Sequence, residues 1–139
     1  VRASALNGWR KSRGVGFTFV DLDVSFSLDG PKRTVRVLVA TGAGYCMIPR
    51  EILLELKITP AWRQTFTLAD GRPIEREVGY AFIHYGNRHP AATHVIFGEP
   101  GDEPVLGAYG LQGLELEVDP YNHVLRAMRT IPLVPIPLA

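Results

Sequence analysis

The sequence predicts an all-β domain, a barrel or sandwich of short strands, and three observations carry that prediction. Apolar and polar residues alternate with a period of two in several stretches, turn-forming residues separate these stretches at spacings of roughly 8–12 residues, and only one stretch reads as a clear helix. The chain has 139 residues, enough for one domain with a single core.

From Phe17 onward the pattern is β. Leu22, Val24, Phe26 and Leu28 alternate with Asp23, Ser25 and Ser27, which predicts a half-buried strand. Asp29-Gly30 marks a hairpin turn. The next strand, Thr34 to Val39, becomes wholly apolar as it approaches Ala40, as a strand entering the core should. Pro49 to Leu56 reads as a short helix: proline suits its start, Glu51 suits the positive end of the dipole, and Ile52, Leu53 and Leu56 share a face. Gln64 to Leu68 and Ile74 to Tyr85 are two strands flanking the turn Ala69-Asp70-Gly71. After a turn at Gly86 to His89, Ala92 to Phe97 is again a strand. Gly98 to Pro104 reads as an irregular acidic loop, Val105-Leu106 as a short apolar stretch ended by Gly107, and Tyr109 to Gly113 as a second helical turn. Leu114 to Val118 and Val124 to Met128 form the last pair, around Asp119-Pro120-Tyr121-Asn122.

Both ends differ from this middle. Residues 1–16, interrupted by Gly8, Gly14 and Gly16 and basic at Arg10, Lys11 and Arg13, read as a flexible arm, a precursor segment or an appended one. The domain proper is expected over residues 17–130. Residues 131–139 carry Pro132, Pro135 and Pro137, which exclude a helix and suit an extended strap. A net charge of +1 offers no strong field toward nucleic acid or a membrane surface. No stretch approaches the roughly 20 apolar residues of a membrane span, and no apolar run follows the basic cluster as in a secretory signal. The default expectation is therefore a cytoplasmic protein. The lone Cys46 cannot form an intrachain disulfide.

The informative stretch is Val37-Leu38-Val39-Ala40-Thr41-Gly42-Ala43-Gly44-Tyr45-Cys46-Met47-Ile48-Pro49. With an aspartate in place of Ala40 it resembles the active-site loop of retropepsin-like aspartic proteases. Val105-Leu106-Gly107 resembles the second element of that family, and the hairpin at Ala69-Asp70-Gly71 sits where the family places its flap. The ordered set covers roughly residues 17 to 128 and is most similar to the small stand-alone prokaryotic members. The resemblance implies a closed barrel with one or two short helices, a single lobe that dimerises. It also implies a catalytic loop at Ala40, Thr41 and Gly42, with substrate contacts at Ala43, Gly44, Ala69, Asp70 and Gly71. By the same resemblance Thr41 braces the loops across the dimer axis, although family members often carry a polar residue where Gly44 stands.

Peptide hydrolysis by this route needs two carboxylates sharing a proton, one activating water and the other polarising the carbonyl. Close like charges separate their ionisations, so one stays protonated while the other is charged. Only one such loop exists in the chain: Asp70-Gly71 and Asp119-Pro120 lack a preceding apolar strand. One active site therefore requires two chains, and an isologous homodimer is the expected assembly. Its partner is an extended, largely hydrophobic peptide, with no cofactor and no metal. Tyr45, Met47, Ile48 and Ile74 are candidate groove residues.

Ala40 has no proton to exchange, so the chain is expected to be inactive as written. Two explanations stand: an engineered aspartate-to-alanine change, or a natural pseudoprotease that binds peptides or dimerises. Other chemistries fit less well. His84, His89 and His94 are spaced by five, unlike compact zinc motifs, and read as surface or turn residues, as does His123. Cys46 lies in an apolar run and reads as an inert buried thiol. Ser4, Ser12, Ser25 and Ser27 lie in no nucleophile elbow, and Asp102-Glu103 reads as a solvated acidic loop.

Overall fold

The computed structural model describes residues 17–131 and 133. The anticipated arm at residues 1–16, and all of the anticipated strap except Ile131 and Leu133, lie outside the described residues. Among the described residues the chain forms nine strands and two short helices, a mostly β architecture. The strands are β1 (Thr18–Ser25), β2 (Lys32–Val39), β3 (Cys46–Pro49), β4 (Trp62–Thr67), β5 (Pro73–His84), β6 (Ala91–Gly98), β7 (Val105–Leu106), β8 (Leu116–Asp119) and β9 (Val124–Ala127). Helix α1 (Arg50–Glu55) follows β3, and α2 (Ala108–Leu114) follows β7.

Seven strands share one sheet in the order β1-β2-β7-β3-β6-β5-β4, and β8 and β9 form a separate pair. The end of β1 also pairs with β5, with Asp23 opposite His84 and Ser25 opposite Phe82. Hydrophobic alternation explains the register. On β1, Val20, Leu22 and Val24 point inward and meet Val35 and Val37 of β2. The same core takes Ile48, Leu53, Leu56, Ile58, Ile83, Val95, Phe97, Leu106, Leu111 and Leu114. Burying aliphatic side chains like these contributes about 1.5–3 kcal/mol each before the cost of ordering the chain.

The inward alternation stops earlier than the sequence suggests. Phe26 and Leu28 are 58% and 54% exposed, because the strand ends at Ser25 and the chain turns through Ser27 to Gly30, where the Gly30 N–H donates to the Ser27 carbonyl. Helix α1 follows the predicted pattern. Pro49 enters it with φ −53°, Leu53 and Leu56 are buried, and Ile52 packs against the core. No helix among the described residues is long and apolar enough to cross a membrane.

Candidate functional site

The loop from Ala40 to Gly44 leaves β2 and is held from behind by the segment that contains β7 and the start of α2. The Leu38 N–H donates to the Pro104 carbonyl at 2.9 Å, and the Ala40 N–H donates to the Leu106 carbonyl at 3.0 Å. Within the loop the Ala43 N–H closes a turn onto the Ala40 carbonyl at 3.1 Å. Beyond it, the amides of Ala108 and Tyr109 donate to the carbonyls of Ala43 and Gly44 at 2.7 and 3.0 Å. Gly107 makes this approach possible. A Cβ there would fall 2.6 Å from the Gly44 carbonyl oxygen and 2.9 Å from that of Ala43, and would also meet that of Tyr45. Thr41 and Gly42 are exposed, while Ala40 and Ala43 are half-buried. A Cβ on Gly44 would stand 3.2 Å from the Tyr109 ring, so a side chain there would have to displace that ring slightly.

The second sequence-predicted group lies at the tip of the β4–β5 hairpin, where Phe66 pairs with Ile74 and Thr67 with Pro73. The turn is self-contained. Leu68 donates to the Arg72 carbonyl at 2.8 Å and Gly71 donates to the Leu68 carbonyl at 2.9 Å. Gly71 takes φ +90°, a conformation that favours glycine. The Asp70 carboxylate accepts from the Arg72 amide at 3.1 Å and from its Nε at 2.7 Å, and these bonds hold its pKa below the ordinary carboxylate range. Ala69, Asp70 and Gly71 are all exposed.

An aromatic cluster flanks the loop and reaches the hairpin. The Tyr45 ring stacks on His94 at 4.9 Å, meets Phe66 edge-on at 5.6 Å and lies 5.8 Å from Tyr109. Trp62 and Tyr80 also contact His94, at 5.6 and 5.2 Å. Tyr80 and Tyr109 border an open cavity of about 520 Å³ with Ala92, Thr93 and His94. The sequence reading missed this cluster, although the alternation Trp62, Gln64, Phe66 on β4 signals it: these three are half-buried while Arg63, Thr65 and Thr67 are exposed. Tyr45, Met47 and Ile74 are partly exposed, as groove residues must be. Ile48 is not, and that expectation is corrected: it alternates with Met47 on β3 and is fully buried in the core.

Two further expectations change. Asp102 is not simply solvated. It receives a bidentate pair from Arg76 at 2.8 and 3.0 Å and accepts the Glu99 amide at 2.8 Å. His84, expected at the surface or in a turn, lies half-buried at the end of β5. Ser25 is fully buried, its Oγ donates to the Ser27 carbonyl at 2.7 Å, and His84 Nε2 lies 2.8 Å from that Oγ. Full burial keeps this hydroxyl from acting as a nucleophile. Cys46 matches its expected environment: burial pushes its thiol pKa up to about 11, against weaker opposing bonds from Gly107 and Gly110. Among the described residues no three His, Cys, Asp or Glu side chains gather as a metal site.

No family model matches the chain, and no curated protein matches it. Solved structures do. The EIAV protease complexed with the inhibitor HBY-793 aligns with a TM-score of 0.51 and 18% identity, covering 70% of this chain and 88% of that one. The retroviral protease-like domain of Ddi1 from Leishmania major aligns with a TM-score of 0.50 and 15% identity, covering 85% and 95%. At this level of identity the likeness speaks for architecture alone, and it assigns the chain a retropepsin-like fold.

Proposed function

We propose that the chain is the single lobe of a homodimeric aspartic endopeptidase, disarmed by Ala40, with the β4–β5 hairpin as its flap. The observation that carries this reading is the loop itself. Its backbone is bonded to Leu106, Ala108 and Tyr109 while Thr41 and Gly42 stay exposed. A side chain at position 40 would thus project from a rigid frame, as a shared-proton carboxylate pair requires. The β1–β5 pairing is read as closure of the barrel. In the active form each copy supplies one carboxylate from position 40. The pair shares a proton, activates a water and polarises the scissile carbonyl. Ala43 and Gly44 of the loop and Ala69, Asp70 and Gly71 of the flap contact the peptide. With alanine at position 40, both carboxylates are lost together.

The half-exposed aromatic flank also suits a second reading, a peptide-binding or dimerisation module that uses the same groove without hydrolysis. One experiment separates the two. The chain and its Ala40→Asp version are incubated with an unfolded protein over acidic to neutral pH, with and without pepstatin, and fragments are read by mass spectrometry. The enzyme reading expects cleavage by Ala40→Asp alone, blocked by the inhibitor. A folded, dimeric Ala40→Asp version that cuts nothing moves the assignment to the binding module.

A further inference from the structure

We propose that Asp102 and Arg76 form a clasp that sets the position of the β4–β5 hairpin relative to the Ala40–Ala43 loop, so that Asp102 is a positioning residue for peptide binding. The consequence for peptides rests on the function proposed above; the clasp itself does not.

The clasp joins three elements distant in sequence. Arg76 lies on the trailing strand of the hairpin, and its Nε and Nη2 donate to the two carboxylate oxygens of Asp102. Each side chain is only 19% exposed. The Asp102 Oδ2 also accepts the Glu99 amide, and the Asp102 amide donates to the Glu99 carbonyl at 2.9 Å, so the carboxylate is fixed from its own loop as well. Beside it Arg50, the first residue of α1, pairs with Glu77 of β5 and with Glu99 at 2.9 Å. The Arg50 guanidinium lies 5.2 Å from the centre of the Phe97 ring. Hairpin, helix and loop are thus tied by planar guanidinium–carboxylate contacts, which fix direction as well as distance.

The loop end of the clasp is short. A few residues after Asp102, the carbonyls of Pro104 and Leu106 accept the amides of Leu38 and Ala40. One segment therefore holds the hairpin through Asp102 and the Ala40 loop through its backbone. On the other side the hairpin already touches the loop's flank, where Phe66 meets Tyr45. Releasing Asp102 leaves the hairpin with the Arg50–Glu77 pair and that ring contact but without its bidentate tie to this segment, so the hairpin loosens while the loop stays on β7.

Amide hydrogen exchange on the full chain tests the clasp without any catalysis. The variants are Asp102→Asn, Arg76→Gln and the charge swap Arg76→Asp with Asp102→Arg. Both single changes are expected to speed exchange in β4 and β5 by roughly tenfold while β1 and β2 keep their rates, and the swap to recover most of the protection. Unchanged hairpin exchange, or equal acceleration in β1 and β2, overturns the clasp. In an Ala40→Asp background that cleaves peptide, Asp102→Asn is expected to raise KM about tenfold with little change in kcat. A fall in kcat at constant KM overturns the positioning role. If Ala40→Asp cleaves nothing, the proposed function fails, and the exchange data still decide the clasp.

Discussion

The loop at Ala40–Gly44 and the hairpin turn at Leu68–Arg72 are both short, glycine-containing reversals, yet they are built in opposite ways. The loop is held mainly from outside. Its amides and carbonyls bond to Leu106, Ala108 and Tyr109, and Gly107 exists to let that second backbone approach. The hairpin turn is held by its own residues, with Leu68, Asp70, Gly71 and Arg72 bonding among themselves and open space around the Gly71 Cα. Rigidity in the loop therefore comes from tertiary contact, and shape in the turn comes from local chemistry. A substitution should cost a great deal in the first region and little in the second.

Gly107→Ala is the strongest way to break this contrast. Its Cβ would press on fixed carbonyl oxygens of Gly44 and Ala43, and backbone cannot swing aside as a side-chain end can. A loss of about 3 kcal/mol is expected from urea denaturation; a loss below about 1 kcal/mol would mean the loop is softer than described. Gly71→Ala meets no atom and strains only its own φ of +90°, so a loss of about 1 kcal/mol is expected by the same measurement.

The next test concerns the β1–β5 seam. Burial, reinforced by Lys32 and partly opposed by Asp23, lowers the His84 pKa below the ordinary histidine value. The fold thus favours neutral His84. That contribution is complete above the ordinary histidine range and is lost as pH falls through it, because the unfolded chain takes up the proton more readily. Thermal melts from pH 7.5 down to about 5 should show a decline that His84→Asn flattens; identical slopes would remove His84 from the account. The smallest effect is expected at the turn. Asp70→Asn, at an exposed carboxylate, should leave the melting temperature at neutral pH within experimental error. A clear drop would show that the Asp70–Arg72 bonds contribute more to the turn than an exposed pair should.

Much of the architecture was legible because it follows from local rules. Leu22 and Val24 alternate with polar neighbours and are buried; Leu53 and Leu56 fall on one face of α1 and are buried; Asp70-Gly71 and Asp29-Gly30 stand at turns. Phe26 and Leu28 misled because periodicity cannot show where a strand stops pairing. Ile48 was misplaced because Met47 and Ile48 are equally apolar, and only the register of β3 against β6 decides which one faces inward.

The spacing of the Ala40 loop, the hairpin and Val105-Leu106-Gly107 was likewise visible in the chain, and the fold brings the first and last together through backbone bonds. The tertiary structure alone revealed which side chains meet across strands: Tyr45 on His94, Arg76 on Asp102 and Ser25 beside His84. Sequence alone determined the position of most strands, turns and helices, since these depend on neighbours along the chain, but not where β1 ends or that Cys46–Pro49 joins the sheet as β3. Cross-strand pairs depend on register and sheet order, which are set only once the long-range contacts have closed.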